Sequence, residues 1–374
     1  MTRTSRRFAL ASSFLLLGSV AARADDWKPL EVDLAEYEKI DPENVRELRR
    51  LAREFKGRRL LHVNTTRDGG GVAEILNRMI PVLRAAGVET DWPLMKGEPA
   101  FFDLTKAMHN AIHGAELDMT DPKNRELYDR ITEMNKAEMP PVSARDVVFV
   151  HDPQPAGLID HFANQGADVF WRFHVDSSRA DPRVLDFLRE RTGKAYATGF
   201  HMPEFFFDTG NADVLLRPSI DPLHPKNVDM TRAEIKAALA RYDVPLDGKP
   251  IVSQISRYDW LKDPLGVIEA YKKLREGGTD ARLILAGPEA VSDDPEAKEV
   301  VDAVRARVKE LEKTHPEIAR DIRVLTTPYD AELINALQRA SAVVMQLSTQ
   351  EGFGLTVSEA LWKGTPVVAR PSGG

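Results

Sequence analysis

The 374-residue chain contains no cysteine. That absence excludes disulfides, thiolate metal sites and cysteine nucleophiles, and leaves the redox compartment to be read elsewhere. An excess of one charge is also missing. With 51 Lys and Arg against 58 Asp and Glu, the net charge is -7, without basic clustering, so a nucleic-acid surface or an anionic membrane surface has no electrostatic support. Any acidic ligand must therefore be held by local basic residues. There is no internal repeat or low-complexity tract, and beyond the first 24 residues no apolar run is long enough to span a bilayer.

The first residues have the layout of a cleavable export signal: Arg3, Arg6 and Arg7, an apolar run from Phe8 to Val20, then Ala22-Arg23-Ala24. The Arg6-Arg7 pair hints at twin-arginine export, but Phe8 follows it directly where the usual pattern leaves one residue between, so the route stays undecided. The alternative is a start codon set too far upstream. Residues 25–57 are charge-rich, with Val45, Leu48, Leu51 and Phe55 at helical spacing, and read as an arm or cover helix.

The rest alternates as parallel α/β proteins do. Strands are expected at Arg59–Asn64, Asp146–Val150 and Val169–Phe173 in the first half. After Gly69-Gly-Gly71, an amphipathic helix is expected over Val72–Ala86, with Val72, Ile75, Leu76, Met79, Val82 and Leu83 as its apolar face. The proline-rich stretch Arg217–Pro225 breaks the rhythm and marks a domain boundary. Further strands follow at Ile251–Ile255, Ala281–Ala286, Ile322–Leu325, Ala342–Gln346 and Pro366–Ala369. The expected organisation is a leader at 1–24, a first Rossmann-like domain at 25–222, a linker at 223–248 and a second Rossmann-like domain at 249–374.

In such sheets ligands sit at the carboxyl ends of strands, where loops feed helix amino termini that favour anions. Two places qualify here, Gly69 to Gly71 and Gly352-Phe-Gly354. A triple glycine alone is a weak signal, more often a tight turn than a phosphate cradle. The second loop is flanked by Glu351 and Glu359, carboxylates suited to sugar hydroxyls and unsuited to phosphate, or else two solvated glutamates on a loop and a helix. Arg257 and Lys262 follow the Ile251 strand, where two cations can hold a diphosphate and stabilise its departure, or else form a surface ion-pair network with Asp259 and Asp263. His174 and Asp176 follow one strand of the first domain, and His151 and Asp152 follow another. A histidine so placed can donate to a sugar hydroxyl or simply cap its own loop. His109 and His113 have zinc-chelating spacing, but no third ligand announces itself, so no metal is expected.

Together, Glu351 and Glu359, Arg257 and Lys262, Gly70-Gly71 before a helix and Arg217-Pro-Ser-Ile-Asp-Pro222 resemble the retaining GT-B glycosyltransferases of family 4. His62-Val-Asn-Thr-Thr66, Val150-His-Asp-Pro-Gln-Pro155, Arg172-Phe-His-Val-Asp176 and the run Glu351 through Gly364 resemble its trehalose-forming members, the glycosyl-transferring synthases and the phosphorylases. The likeness runs from about Asp33 to the end. It implies a GT-B fold, two Rossmann-like domains with an interdomain cleft, and a hexosyltransferase making trehalose from a nucleoside diphosphate glucose and glucose, with no cofactor.

By the same resemblance, Glu351 binds hydroxyls of the transferred glucose, Glu359 the ribose, and Arg257 and Lys262 the diphosphate. The amides of Gly70, Gly71, Gly354 and Leu355 complete the donor cradle, His174 contacts the transferred sugar, and Asp152, Gln154 and Asp176 lie near the acceptor. Two features depart from the pattern. Family members continue past Gly373-Gly374, so the C-terminal domain as given is expected to be incomplete; and the leader points to the periplasm, whereas nucleotide-sugar chemistry points to the cytoplasm. Two alternatives stay open, a phosphorylase that uses phosphate and a non-catalytic sugar-nucleotide-binding protein. A nicotinamide-dependent dehydrogenase is disfavoured because the first glycine loop lacks the full spaced fingerprint. A homo-oligomer is compatible with everything in the sequence.

Overall fold

A computed structural model describes residues 30–68, 70–288 and 296–373. The leader at 1–24, Gly69 and Gly374 lie outside the described residues. The described residues form two wholly parallel sheets. The first contains β1 (Arg59–Val63), β2 (Glu89–Asp91), β3 (Val147–His151), β4 (Asp168–Arg172), β5 (Ala197–Phe200) and β6 (Ala212–Leu215). Their spatial order is β2-β1-β3-β4-β5-β6. The second contains β7 (Ile251–Ile255), β8 (Arg282–Gly287), β9 (Ile322–Thr326), β10 (Ser341–Gln346) and β11 (Val367–Ala369), ordered β11-β10-β7-β8-β9.

Helices cover both faces of the second sheet, and the period of two along a strand decides which side chain meets which layer. In β8, Leu283 and Leu285 pack with Val267, Tyr271, Val300 and Val304, while Ile284 and Ala286 pack on the other side with Leu239, Leu333 and Leu337. In the first sheet Leu61, Val63, Val148, Val150, Val169, Trp171 and Phe173 share one core with Tyr128 and Phe187. The alternate positions, His62, Phe149, His151, Phe170 and Arg172, therefore face the opposite way. Two histidines, His62 and His151, come to one side of the sheet for this reason alone.

Three strands were not foreseen. β2, β5 and β6 read Glu-Thr-Asp, Ala-Thr-Gly-Phe and Ala-Asp-Val-Leu, too short and too poor in β-branched runs to stand out. The first-domain helix spans Gly70–Ala85 and buries Ala73, Leu76, Ile80 and Pro81, so its inward face is turned from the expected one toward the i, i+3, i+7 set. The arm at 25–57 holds two helices, Leu34–Ile40 and Pro42–Glu54, each started by an aspartate that caps it, Asp33 and Asp41. Val45 and Ala52 face inward and Leu51 is exposed.

The stretch 223–248 includes a helix, Arg232–Ala240, opened by a Thr231–Glu234 capping box. Its Ala238 and Leu239 are buried against Leu333, Ala336 and Leu337 of the second domain. Just before it the chain is held on both sides. Asp221 takes hydrogen bonds from Tyr37 Oη at 3.0 Å and from Arg78, both in the first domain. Asn335 Nδ2 of the second domain donates to the carbonyls of Pro225 and Val228 at 3.0 and 2.8 Å.

Candidate active site

At the carboxyl edge of the first sheet, four imidazoles form a continuous chain. His62 Nδ1 lies 3.0 Å from His151 Nε2, His151 Nδ1 lies 2.9 Å from His174 Nε2, and His174 Nδ1 lies 3.1 Å from His201 Nε2. The register explains the stair. His151 pairs with Arg172 across β3 and β4, and Arg172 pairs with Gly199 across β4 and β5. His174 and His201 stand two residues past that last pair, so successive strands present the next ring one step further out. Burial keeps these rings neutral, with the pKa of His62 pushed down to about 3, that of His201 to about 4, and those of His151 and His174 well below the usual value.

Asp152 braces this chain from below. It adopts φ of 65°, in the left-handed region, and its Oδ1 accepts from His174 N at 2.8 Å. Burial raises its carboxyl to about 7, against the opposing His174 amide and the Arg172 guanidinium. Asp176 is 5% exposed, and its Oδ1 accepts from Ser178 N at 2.9 Å. Gln154 lies half-buried in the turn after β3. Both ring nitrogens of His174 face other imidazoles, so the group it offers to the cleft is its backbone carbonyl. That carbonyl borders the second domain: a Cβ added to Gly352 would lie 2.6 Å from it. The fourth ring, His201, reaches the same glycine, with Nδ1 3.4 Å from the Gly352 carbonyl.

The facing edge of the second sheet carries the charges. Lys262, at the end of the 3-10 turn Trp260–Lys262 after β7, places Nζ 2.6 Å from Glu351 Oε2. Gln346 Nε2 and Ser348 Oγ donate to the same oxygen, each at 3.1 Å. Burial works to raise the Glu351 carboxyl, yet Lys262 and these donors outweigh it and hold the group below its usual range. Arg257 is 37% exposed and lies 3.4 Å from Asp259. Gly354, with φ of 93°, starts the helix Leu355–Trp362, a turn that L-residues enter with strain. Gly71 of the first domain comes within 4.0 Å of Leu355 Cδ1, measured from an added Cβ. The two glycine-rich helix starts therefore face each other across the cleft.

Glu359 is 3% exposed and pairs with Lys226 Nζ at 2.5 Å. Lys226, in the segment joining the domains, also binds Glu74 on the helix Gly70–Ala85. Burial pulls the ammonium pKa down, but the two carboxylates prevail and hold it above the usual lysine range. Lys226 and His201 carry no local signature in the sequence, and His109 and His113 stand out there only for their zinc-chelating spacing. The last pair ends the helix Pro99–Ile112 in the cleft. Burial lowers the pKa of His113, with Asp176, Asp259 and Glu351 acting against it, and brings that of His109 down to about 3. The one sign available in advance was position, since His62, His151, His174 and His201 all stand in or just after the carboxyl half of a parallel strand.

Comparison with known proteins gives the family and the fold. Residues 62–207 match the family model for the N-terminal domain of trehalose synthase, and residues 240–374 match that for glycosyl transferases group 1. Over 340 residues, 90% of this chain and 79% of the relative, the chain is 40% identical to a trehalose synthase of Pyrococcus horikoshii. It is 27% identical to a trehalose phosphorylase of Pleurotus sajor-caju, covering 83% of this chain and 48% of that protein. The fold matches the crystal structure of a UDP-forming alpha,alpha-trehalose-phosphate synthase from Burkholderia xenovorans with a TM-score of 0.66, at 13% identity over 83% of this chain and 84% of the other. Two parallel α/β domains meeting at their carboxyl edges are thus the GT-B fold, and the chain belongs to the trehalose synthase family of glycosyltransferases.

Proposed function

We propose that the chain is a retaining family 4 enzyme that makes trehalose by moving glucose from a nucleoside diphosphate glucose to glucose. The observation that carries this reading is the Lys262–Glu351 pair beside a loop that meets the His174 carbonyl across the cleft. A cation and a carboxylate at one helix start suit a ligand with phosphate at one end and hydroxyls at the other. Lys262 and Arg257 hold the diphosphate, with the amides of Gly70, Gly71, Gly354 and Leu355 around it. Glu351 takes hydroxyls of the transferred glucose and Glu359 those of the ribose, displacing Lys226 from its carboxylate.

His174 borders the transferred sugar, and Asp152, Gln154 and Asp176 lie on the acceptor side. The bond from the anomeric carbon to the diphosphate breaks as the acceptor oxygen bonds to the same face of that carbon. The acceptor's proton passes to the departing diphosphate, whose charge Lys262 and Arg257 stabilise, so no metal or cofactor takes part. The test is a panel of nucleoside diphosphate glucoses with glucose, scored for trehalose and for nucleoside diphosphate in equal amounts. Release of glucose and glucose 1-phosphate from trehalose and phosphate, with no product from any nucleotide donor, would replace the synthase by a phosphorylase.

A further inference from the structure

The imidazole chain has a direction, and its two ends determine it. At one end His201 Nδ1 faces the Gly352 carbonyl at 3.4 Å, a group that only accepts. A proton on His201 Nδ1 makes that contact a hydrogen bond, whereas a proton on Nε2 sets two lone pairs against each other. At the other end His62 Nε2 is buried with no partner among the described residues. A bare lone pair there is tolerated better than an orphaned N–H, because buried donors are satisfied more stringently than acceptors. Both ends therefore require the same arrangement, with the proton on Nδ1 in all four rings and Nε2 accepting from the preceding ring. The neutral state needed for such a chain follows from the burial of all four side chains among each other, Phe149 and Arg172.

His174 is then held at three points: its amide by Asp152, its Nε2 by His151 and its Nδ1 by His201. Only its carbonyl is left to the cleft. His201 is the sole member of the chain that also touches the second domain through a polar contact among the described residues, and Phe353 stacks edge-on against its ring. We propose that His201 is a positioning residue that couples the Gly352 loop of the second domain to the tautomer and orientation of His174. Arrival of the loop gives His201 its acceptor, which aligns the chain and fixes the His174 carbonyl beside the transferred sugar. This rests on the reading of the Gly352 loop as part of the donor site.

The test is ring nitrogen NMR on the full-length protein with 15N-labelled histidine, which distinguishes Nδ1–H from Nε2–H imidazoles. The unsubstituted protein is expected to show His174, His151 and His201 as Nδ1–H. Finding His174 as Nε2–H would overturn the proposal without any variant. His201→Gln places an amide near the former Nε2 but cannot reach Gly352, and an amide that flips serves either direction of the chain. In that variant His174 should lose its single tautomer and kcat should fall about tenfold, the factor carried by one lost buried hydrogen bond, while the donor KM changes little. A folded His201→Gln protein with His174 still wholly Nδ1–H would sink the coupling. Nδ1–H rings in a protein that turns over no nucleotide sugar would leave the coupling standing and remove the functional reading instead.

Discussion

Lys262 Nζ stands 2.6 Å from Glu351 Oε2, tying the loop after β7 to the loop after β10. Each residue is less than one-fifth exposed, so neither charge is well solvated if the other is removed. Lys262→Ala and Glu351→Gln should each lower kcat/KM by about 100-fold or more, the range for losing one preorganised electrostatic contact. The double variant should be little worse than the worse single one, because the two act as a unit. Losses that multiply in steady-state kinetics would show that the pair works as two independent groups.

Gly352 gives a steric test of cleft closure. A methyl group there would sit 2.6 Å from the His174 carbonyl oxygen, closer than real contacts allow. Gly352→Ala is expected to raise the donor KM and lower kcat together while changing the unfolding midpoint little, since opening the cleft relieves the clash. Retained kinetics would mean that the working enzyme does not bring these two backbones together.

Lys226 bridges Glu359 and Glu74, and with Glu359 it is nearly inaccessible. Lys226→Met strands a buried carboxylate and should destabilise the protein by about 3–5 kcal/mol, read from denaturant unfolding. Adding Glu359→Gln should recover part of that loss. A single variant as stable as the parent would count against a tight interdomain pair.

The sign for Asp152 follows from its native pKa of about 7 against an ordinary value of 3.8. Between those values the native state binds the extra proton, so this group's contribution to stability is greatest at acid pH and declines as pH rises toward 7. Asp152→Asn keeps an acceptor for the His174 amide and removes the titration. Relative to the parent, it should gain stability on going from about pH 5 to about pH 8, on the order of 1–4 kcal/mol. Unfolding midpoints that shift in parallel across that range would contradict the raised carboxyl.

Much of the fold was legible because β3, β4, β7, β8 and β10 are apolar runs bounded by polar turns, and the helices Pro122–Lys136, Pro182–Thr192 and Pro264–Glu276 each begin on proline after a capping aspartate. β2, β5 and β6 were not, since three or four mixed residues carry no period. The Lys262 and Glu351 positions were legible as charged residues at strand ends, but their mutual contact was not, because 89 residues separate them. The histidine chain shows the same limit. His62, His151, His174 and His201 become neighbours only through strand order and register, which no local pattern in the sequence records. Nothing local marks Lys226 in its proline-rich segment; it is buried between two carboxylates, one contributed by each domain.

The segment that joins the domains is anchored at Asp221 on one side and at Pro225 on the other. Three residues lie between the anchors, a span of at most about 14 Å over four residue steps, and prolines at 222 and 225 stiffen it. Such a tether permits rotation and forbids drift. Opening and closing then resembles a door on a fixed pin near Leu223, and each closure returns Gly352 to the same spot over His174.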